Sequence, residues 1–93
     1  MALWDLCAKQ AGLPLHRLLG SERGRVEAYA SGLDYHLSDD EFQSFFANAD
    51  ALGYRAFKMK VGHPEFDREL FRLDLLRKTV RPGTSIMIDA NEA

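Results

Sequence analysis

Ninety-three residues allow one small domain with a modest core. The balance of 46% hydrophobic and 28% charged residues is globular, and a formal net charge of −2 lacks the basic excess that a nucleic-acid surface needs. A lone cysteine, Cys7, excludes an internal disulfide framework and suits a reducing, cytoplasmic setting. No apolar run nears the roughly 18 residues of a membrane span, and no signal peptide is visible.

The chain opens inside a helical pattern. Ala2 to Ala11 predicts a helix with Leu3, Leu6 and Cys7 on one stripe, Trp4 and Cys7 as core residues, and Gly12 as its stop. Leu13-Pro14 prevents continuation, Leu15 to Leu19 is a short apolar turn closed by Gly20, and Ser21 to Arg25 is a polar surface link. Val26 to Ser31 predicts a strand with Val26, Ala28 and Ala30 on one face and Glu27, Tyr29 and Ser31 on the other. Ser38-Asp39-Asp40-Glu41 is a capping box. The helix that follows carries Phe42, Phe45, Phe46, Ala49 and Leu52 at helical spacing and ends at Gly53. A second strand runs from about Arg55 to Val61. Pro64 fits the first turn of the next helix, whose stripe is Phe66, Leu70, Leu73, Leu76 and Val80, with Arg68, Glu69, Arg72 and Arg77 on the wet side. Arg81-Pro82-Gly83 ends it, a third strand begins near Ser85, and the chain stops at Asn91-Glu92-Ala93, where a strand should hand over to a loop.

Strand and helix alternate with short connections, which implies an α/β fold with parallel strands. The polar residues cluster at the carboxyl ends of the strands, each set on one face: Ser31, then Lys58 and Lys60, then Asp89 and Asn91. Convergence of strand ends is how a closed barrel builds its site, whereas an open sheet uses switch-point loops, and no GxGxxG or Walker pattern is present. The barrel is favoured, and since a complete one needs about 250 residues, this chain would supply its first three strands and two helices.

Lys58 and Lys60 stand on the same face of an apolar strand, opposite Phe57, Met59 and Val61. Two adjacent ammonium groups repel and lose hydration there, so the pair does nothing for stability. It does suit proton abstraction. A lysine at its ordinary pKa of about 10.4 is a poor base, and a neighbouring cation favours its neutral form, so Lys58 would tune Lys60. Asp89, on the next strand, offers a hard oxygen for Mg²⁺.

These residues resemble the mandelate racemase/muconate lactonizing enzyme group of the enolase superfamily. The resemblance runs through Ala2-Leu3-Trp4-Asp5-Leu6, Pro14-Leu15, Leu18-Leu19-Gly20, Gly53-Tyr54, Lys58-Met59-Lys60-Val61-Gly62 and Met87-Ile88-Asp89-Ala90-Asn91, in that order. It implies a modified (β/α)7β barrel. Residues 1–25 would be the linking helix and connection after an amino-terminal capping domain, and residues 26–93 the start of the barrel. It further implies Lys60 as base, Lys58 as its partner, Asp89 as one of three carboxylate ligands to Mg²⁺, and Asn91 and Ser31 near the substrate. That substrate would be a small carboxylate, sugar acids included, and the intact enzyme a homo-oligomer performing racemisation, cycloisomerisation or dehydration. The other metal ligands and the second acid/base are expected on strands beyond Ala93, so these 93 residues alone should not catalyse.

Blander readings stand beside these. The lysines would guard an edge strand against aggregation, Asp89 and Asn91 would shape a turn, and the chain would be a non-catalytic α/β interaction module complete at this length. A receiver-like or nucleotide-binding open sheet lacks the acidic pair or phosphate loop it needs. His36 and His63 fall in loops as solvated or capping residues.

Overall fold

The computed structural model describes residues 1–91. Helices α1 (Ala2–Gln10) and α2 (Leu15–Leu18) come first. Strand β1 (Ala30–Ser31), a 3₁₀ turn (Asp34–His36), α3 (Asp39–Ala51), β2 (Ala56–Lys60), α4 (Phe66–Thr79) and β3 (Ser85–Asp89) follow. The strands form one parallel sheet in the order β1-β2-β3, so β2, the lysine strand, is central. That removes the edge-guard explanation for its lysines. Among the described residues no helix is long and apolar enough to cross a membrane.

Period-2 alternation decides what the sheet buries. Phe57 and Met59 of β2 are fully buried against Phe42, Phe46 and Ala49 of α3 and against Leu76 and Val80 at the end of α4, with Ala30 of β1 completing the cluster. Both helices therefore cover one face of the sheet, and the lysines occupy the other. Helix α3 is specified locally. The Ser38 hydroxyl accepts the Glu41 amide while the Glu41 carboxylate accepts the Ser38 amide, the reciprocal capping box. Gly53, at φ 95°, turns the chain out of it in a conformation that costs a Cβ-bearing residue about 1 kcal/mol or more. Gly32 matters for a different reason: a Cβ there would meet the Phe45 ring at 3.0 Å, so the turn after β1 sits flush on α3.

Several expectations need correction. The first strand is far shorter than residues 26–31. Ala30 pairs with Phe57, so Ala28 and Val26 fall opposite residues that precede β2, where there is no ladder to join, and Val26 is 88% exposed. Helix α4 starts at Phe66, with Glu65 as N-cap, so Pro64 lies before the helix and not in its first turn. Phe66 and Leu70 are exposed, and Leu52 falls past the end of α3 and is exposed as well. Arg72, placed on the wet side, is only 6% exposed. Trp4 and Cys7 are exposed instead of core, because α1 buries only Ala8 and packs mainly on α2.

Candidate active site

Register assembles the site. Ser31 pairs with Lys58, Lys58 with Met87, and Lys60 with Asp89, so all of these side chains share the face away from the helices. Asp89 Oδ2 lies 3.1 Å from Lys58 Nζ and 2.7 Å from Lys60 Nζ. The expected two-cation pair is thus a three-charge cluster with the carboxylate between the ammonium groups. Lys60 Nζ also donates to Asn91 Oδ1 at 2.6 Å, and the Asn91 amide donates to Asp89 Oδ1 at 2.9 Å. Asn91 holds φ 55°, the left-handed conformation that asparagine tolerates better than most residues, and this folds its side chain back onto the site.

The electrostatics follow from these contacts. The Lys60 ammonium, the Asn91 amide and the Lys58 ammonium, in that order, hold the Asp89 carboxyl far below the usual carboxylate range. Asp89 in return raises the Lys58 pKa above its ordinary value, with Tyr29 adding to the effect. Lys58 Nζ lies 5.2 Å from the centre of the Tyr29 ring. The structure therefore brings together Lys58, Lys60, Asp89 and Asn91. Ser31 shares their face and is exposed, without a hydrogen bond to them. A surface depression lined by Glu27, Tyr54, Arg55 and Ser85 lies at the amino ends of the strands, away from this chemistry.

Three residues near the site escaped the sequence reading. Tyr29 had a usable signal, its parity with Ser31. Asp34 is fully buried, and both its carboxylate oxygens accept the Lys60 amide at 3.2 Å; burial pushes its carboxyl pKa up. Arg72 reaches from α4 to donate to the carbonyls of Asp34 (2.9 Å), Leu37 (3.1 Å) and Tyr35 (3.3 Å), with its guanidinium 4.3 Å from the Phe42 ring centre. His63, expected in a solvated or capping role, accepts the Glu65 amide on Nδ1 at 3.0 Å at the start of α4.

As a metal centre the cluster offers one ionised carboxylate. Among the described residues no group of three or more His, Cys, Asp or Glu side chains is gathered as a cage. A hard dication commonly takes one or two protein carboxylates and completes its shell with water and substrate oxygens, so Asp89 fits as one ligand of such an ion.

Comparison with known proteins identifies the family. The enolase C-terminal domain-like family matches residues 41–93. L-talarate/galactarate dehydratase from Salmonella typhimurium is 37% identical over 93 residues, covering 99% of this chain and 23% of the relative. Other curated relatives are a 3,6-anhydro-alpha-L-galactonate cycloisomerase and an L-Ala-D/L-Glu epimerase. A crystal structure of a Mesorhizobium loti protein described as a mandelate racemase superposes with a TM-score of 0.93 at 65% identity, over 98% of this chain and 24% of that one. L-talarate dehydratase from Polaromonas, crystallised with Mg and L-glucarate, matches with a TM-score of 0.78 at 37% identity, over 97% of this chain and 24% of that one. The chain spans about a quarter of the length of the relatives it matches. It belongs to the enolase C-terminal domain-like family, in the mandelate racemase/muconate lactonizing enzyme group of the enolase superfamily.

Proposed function

We propose that this chain forms one wall of the active site of a Mg²⁺-dependent enzyme that removes the α-proton of a small carboxylate, an acid sugar being the favoured class. The observation that carries this is the convergence of Lys58 and Lys60 on one oxygen of Asp89 at the carboxyl ends of adjacent parallel strands. In this reading residues 26–93 begin a (β/α)7β barrel and residues 1–25 link to it. The unreversed strand order and the helices on a single face support the barrel, since such a sheet contains no switch point.

Lys60 takes the α-proton on Nζ, leaving an enolate-type anion on the substrate. Lys58 sits beside it as a fixed cation, held by Asp89 and the Tyr29 ring. Asn91, already hydrogen-bonded to Lys60, orients the amine. Asp89 would be one ligand of the metal ion, which when bound supplies positive charge against the substrate carboxylate. Relatives that act on acid sugars support the substrate class, and the reaction is racemisation, cycloisomerisation or dehydration. The test is deuterium incorporation or dehydration when the full-length protein meets galactarate or L-glucarate with Mg²⁺ in D₂O. Lys60→Ala should abolish α-proton loss on its face and Asp89→Asn should weaken Mg²⁺ binding, raising the Mg²⁺ concentration that activity requires. Proton exchange at the parent rate in the Lys60 variant would overturn the assignment.

A further inference from the structure

We propose that Asp34 is a positioning residue for Lys60, its carboxylate substituting for the strand carbonyl that β1 does not provide. The proposal rests on the reading of Lys60 as the base. Strand β1 ends at Ser31, opposite Lys58. The Val61 amide, pointing toward β3, finds the Asp89 carbonyl at 3.0 Å. The Lys60 amide points the other way, where the chain has already turned off at Gly32, and there it meets both Asp34 oxygens at 3.2 Å.

One more residue of β1 would satisfy that amide with a neutral carbonyl. Instead the fold buries a carboxylate completely, a costly way to pair a single N–H. Surrounding contacts hold the device in place. Arg72 donates to three carbonyls around the 3₁₀ turn, and Tyr35 Oη donates to the Gly62 carbonyl at 3.3 Å, so the turn grips β2 at Lys60 and again two residues on. The Lys60 backbone is thereby pinned between Asp34 on one side and β3 on the other, and this sets where its amine meets Asp89 and Asn91. Misplacing a reacting group by about 1 Å can cost on the order of 10²-fold in rate.

The test uses the Mg²⁺-loaded full-length protein with Asp34→Ala and Asp34→Asn, and Lys60→Ala as reference. Amide hydrogen exchange along β2 and steady-state turnover of galactarate are the readouts. In Asp34→Ala the Lys60 amide should exchange about tenfold faster or more while Phe57 and Met59 stay within about threefold, and kcat should fall at least about tenfold at little-changed KM. Asp34→Asn keeps an acceptor oxygen and should restore both. Unchanged Lys60 protection in Asp34→Ala, or a loss spread evenly along β2 that Asn does not rescue, overturns the proposal. The amide comparison decides this without a substrate. Should the alanine variant not fold, a folded Asp34→Asn protein with Lys60 exchange accelerated beyond about tenfold overturns it equally. Retained activity in Lys60→Ala would instead sink the base assignment and leave the amide result standing.

Discussion

Arg72 and Arg77 lie on the same helix and look alike in sequence, yet the structure makes opposite demands on them. Arg77 is exposed, whereas the Arg72 guanidinium donates to three carbonyls and one of those bonds, to Asp34 at 2.9 Å, is buried. Arg72→Met keeps the apolar stem and removes the donors. Losing the charge-assisted bond to the buried Asp34 carbonyl, which keeps only the Leu37 amide as donor, costs about 1.5–3 kcal/mol, while the two part-buried carbonyls regain water and cost less. Losing the cation over the Phe42 ring adds about 1 kcal/mol, partly offset because a buried guanidinium no longer has to be desolvated. The net is about 2–3 kcal/mol, or about 30- to 150-fold in the opening equilibrium of the 3₁₀ turn. Native-state hydrogen exchange at the Leu37 amide, which bonds the Asp34 carbonyl at 3.2 Å, reads that equilibrium in the full-length protein. Arg77→Met should change it by less than about 0.5 kcal/mol. If Leu37 exchange in Arg72→Met stayed within about twofold of the parent, or if the two variants matched, the clamp would not exist.

Three other outcomes follow from the same contacts. The leading cause of the raised Lys58 pKa is its bond to Asp89, so in metal-free Asp89→Asn protein Lys58 should titrate lower than in the parent, as read by NMR of Cε-labelled lysine; an unmoved midpoint contradicts the geometry. Because the folded Asp89 pKa is depressed, its stabilisation is fully present above the unfolded value near 3.8 and is lost as pH falls below it. Acid unfolding of the parent below about pH 4 should therefore be steeper than that of Asp89→Asn, and superimposable curves would count against the ion cluster. Ser38→Ala removes one half of the capping box and should cost about 1 kcal/mol in a urea titration, with no loss at all refuting the cap.

What was legible in the chain depends on how far each signal reaches. The capping box and Gly53 are local, so the bounds of α3 follow from neighbouring residues alone. Strand β1 is short because a strand needs a partner alongside it: Val26 to Ala28 has the alternation, but the register sets it opposite residues that precede β2. Helix α1 shows the complementary error. Its stripe is real as a pattern, yet a pattern does not say whether another surface covers it, and Leu3, Trp4 and Leu6 remain exposed. Arg72 was misplaced because a charged residue was equated with a wet one, when its partners are carbonyls of a turn far back in the chain.

The site divides along the same line. Period-2 alternation puts Lys58 and Lys60 together without any knowledge of neighbouring strands. It does not say that Lys60 lies level with Asp89, because parallel register is fixed by the packing of α4 and the turns around it. That register changes the electrostatic argument. Two ammonium groups alone would depress one another, but with Asp89 Oδ2 between them Lys58 is held up. One oxygen now serves both lysines, and it belongs to the carboxylate that would hold a hard cation. A cation held by Asp89 would therefore compete with the two amines for that carboxylate. If Lys60 is the base, as proposed, Asp89 shapes its surroundings as much as Lys58 does, a role that the lysine spacing alone does not reveal.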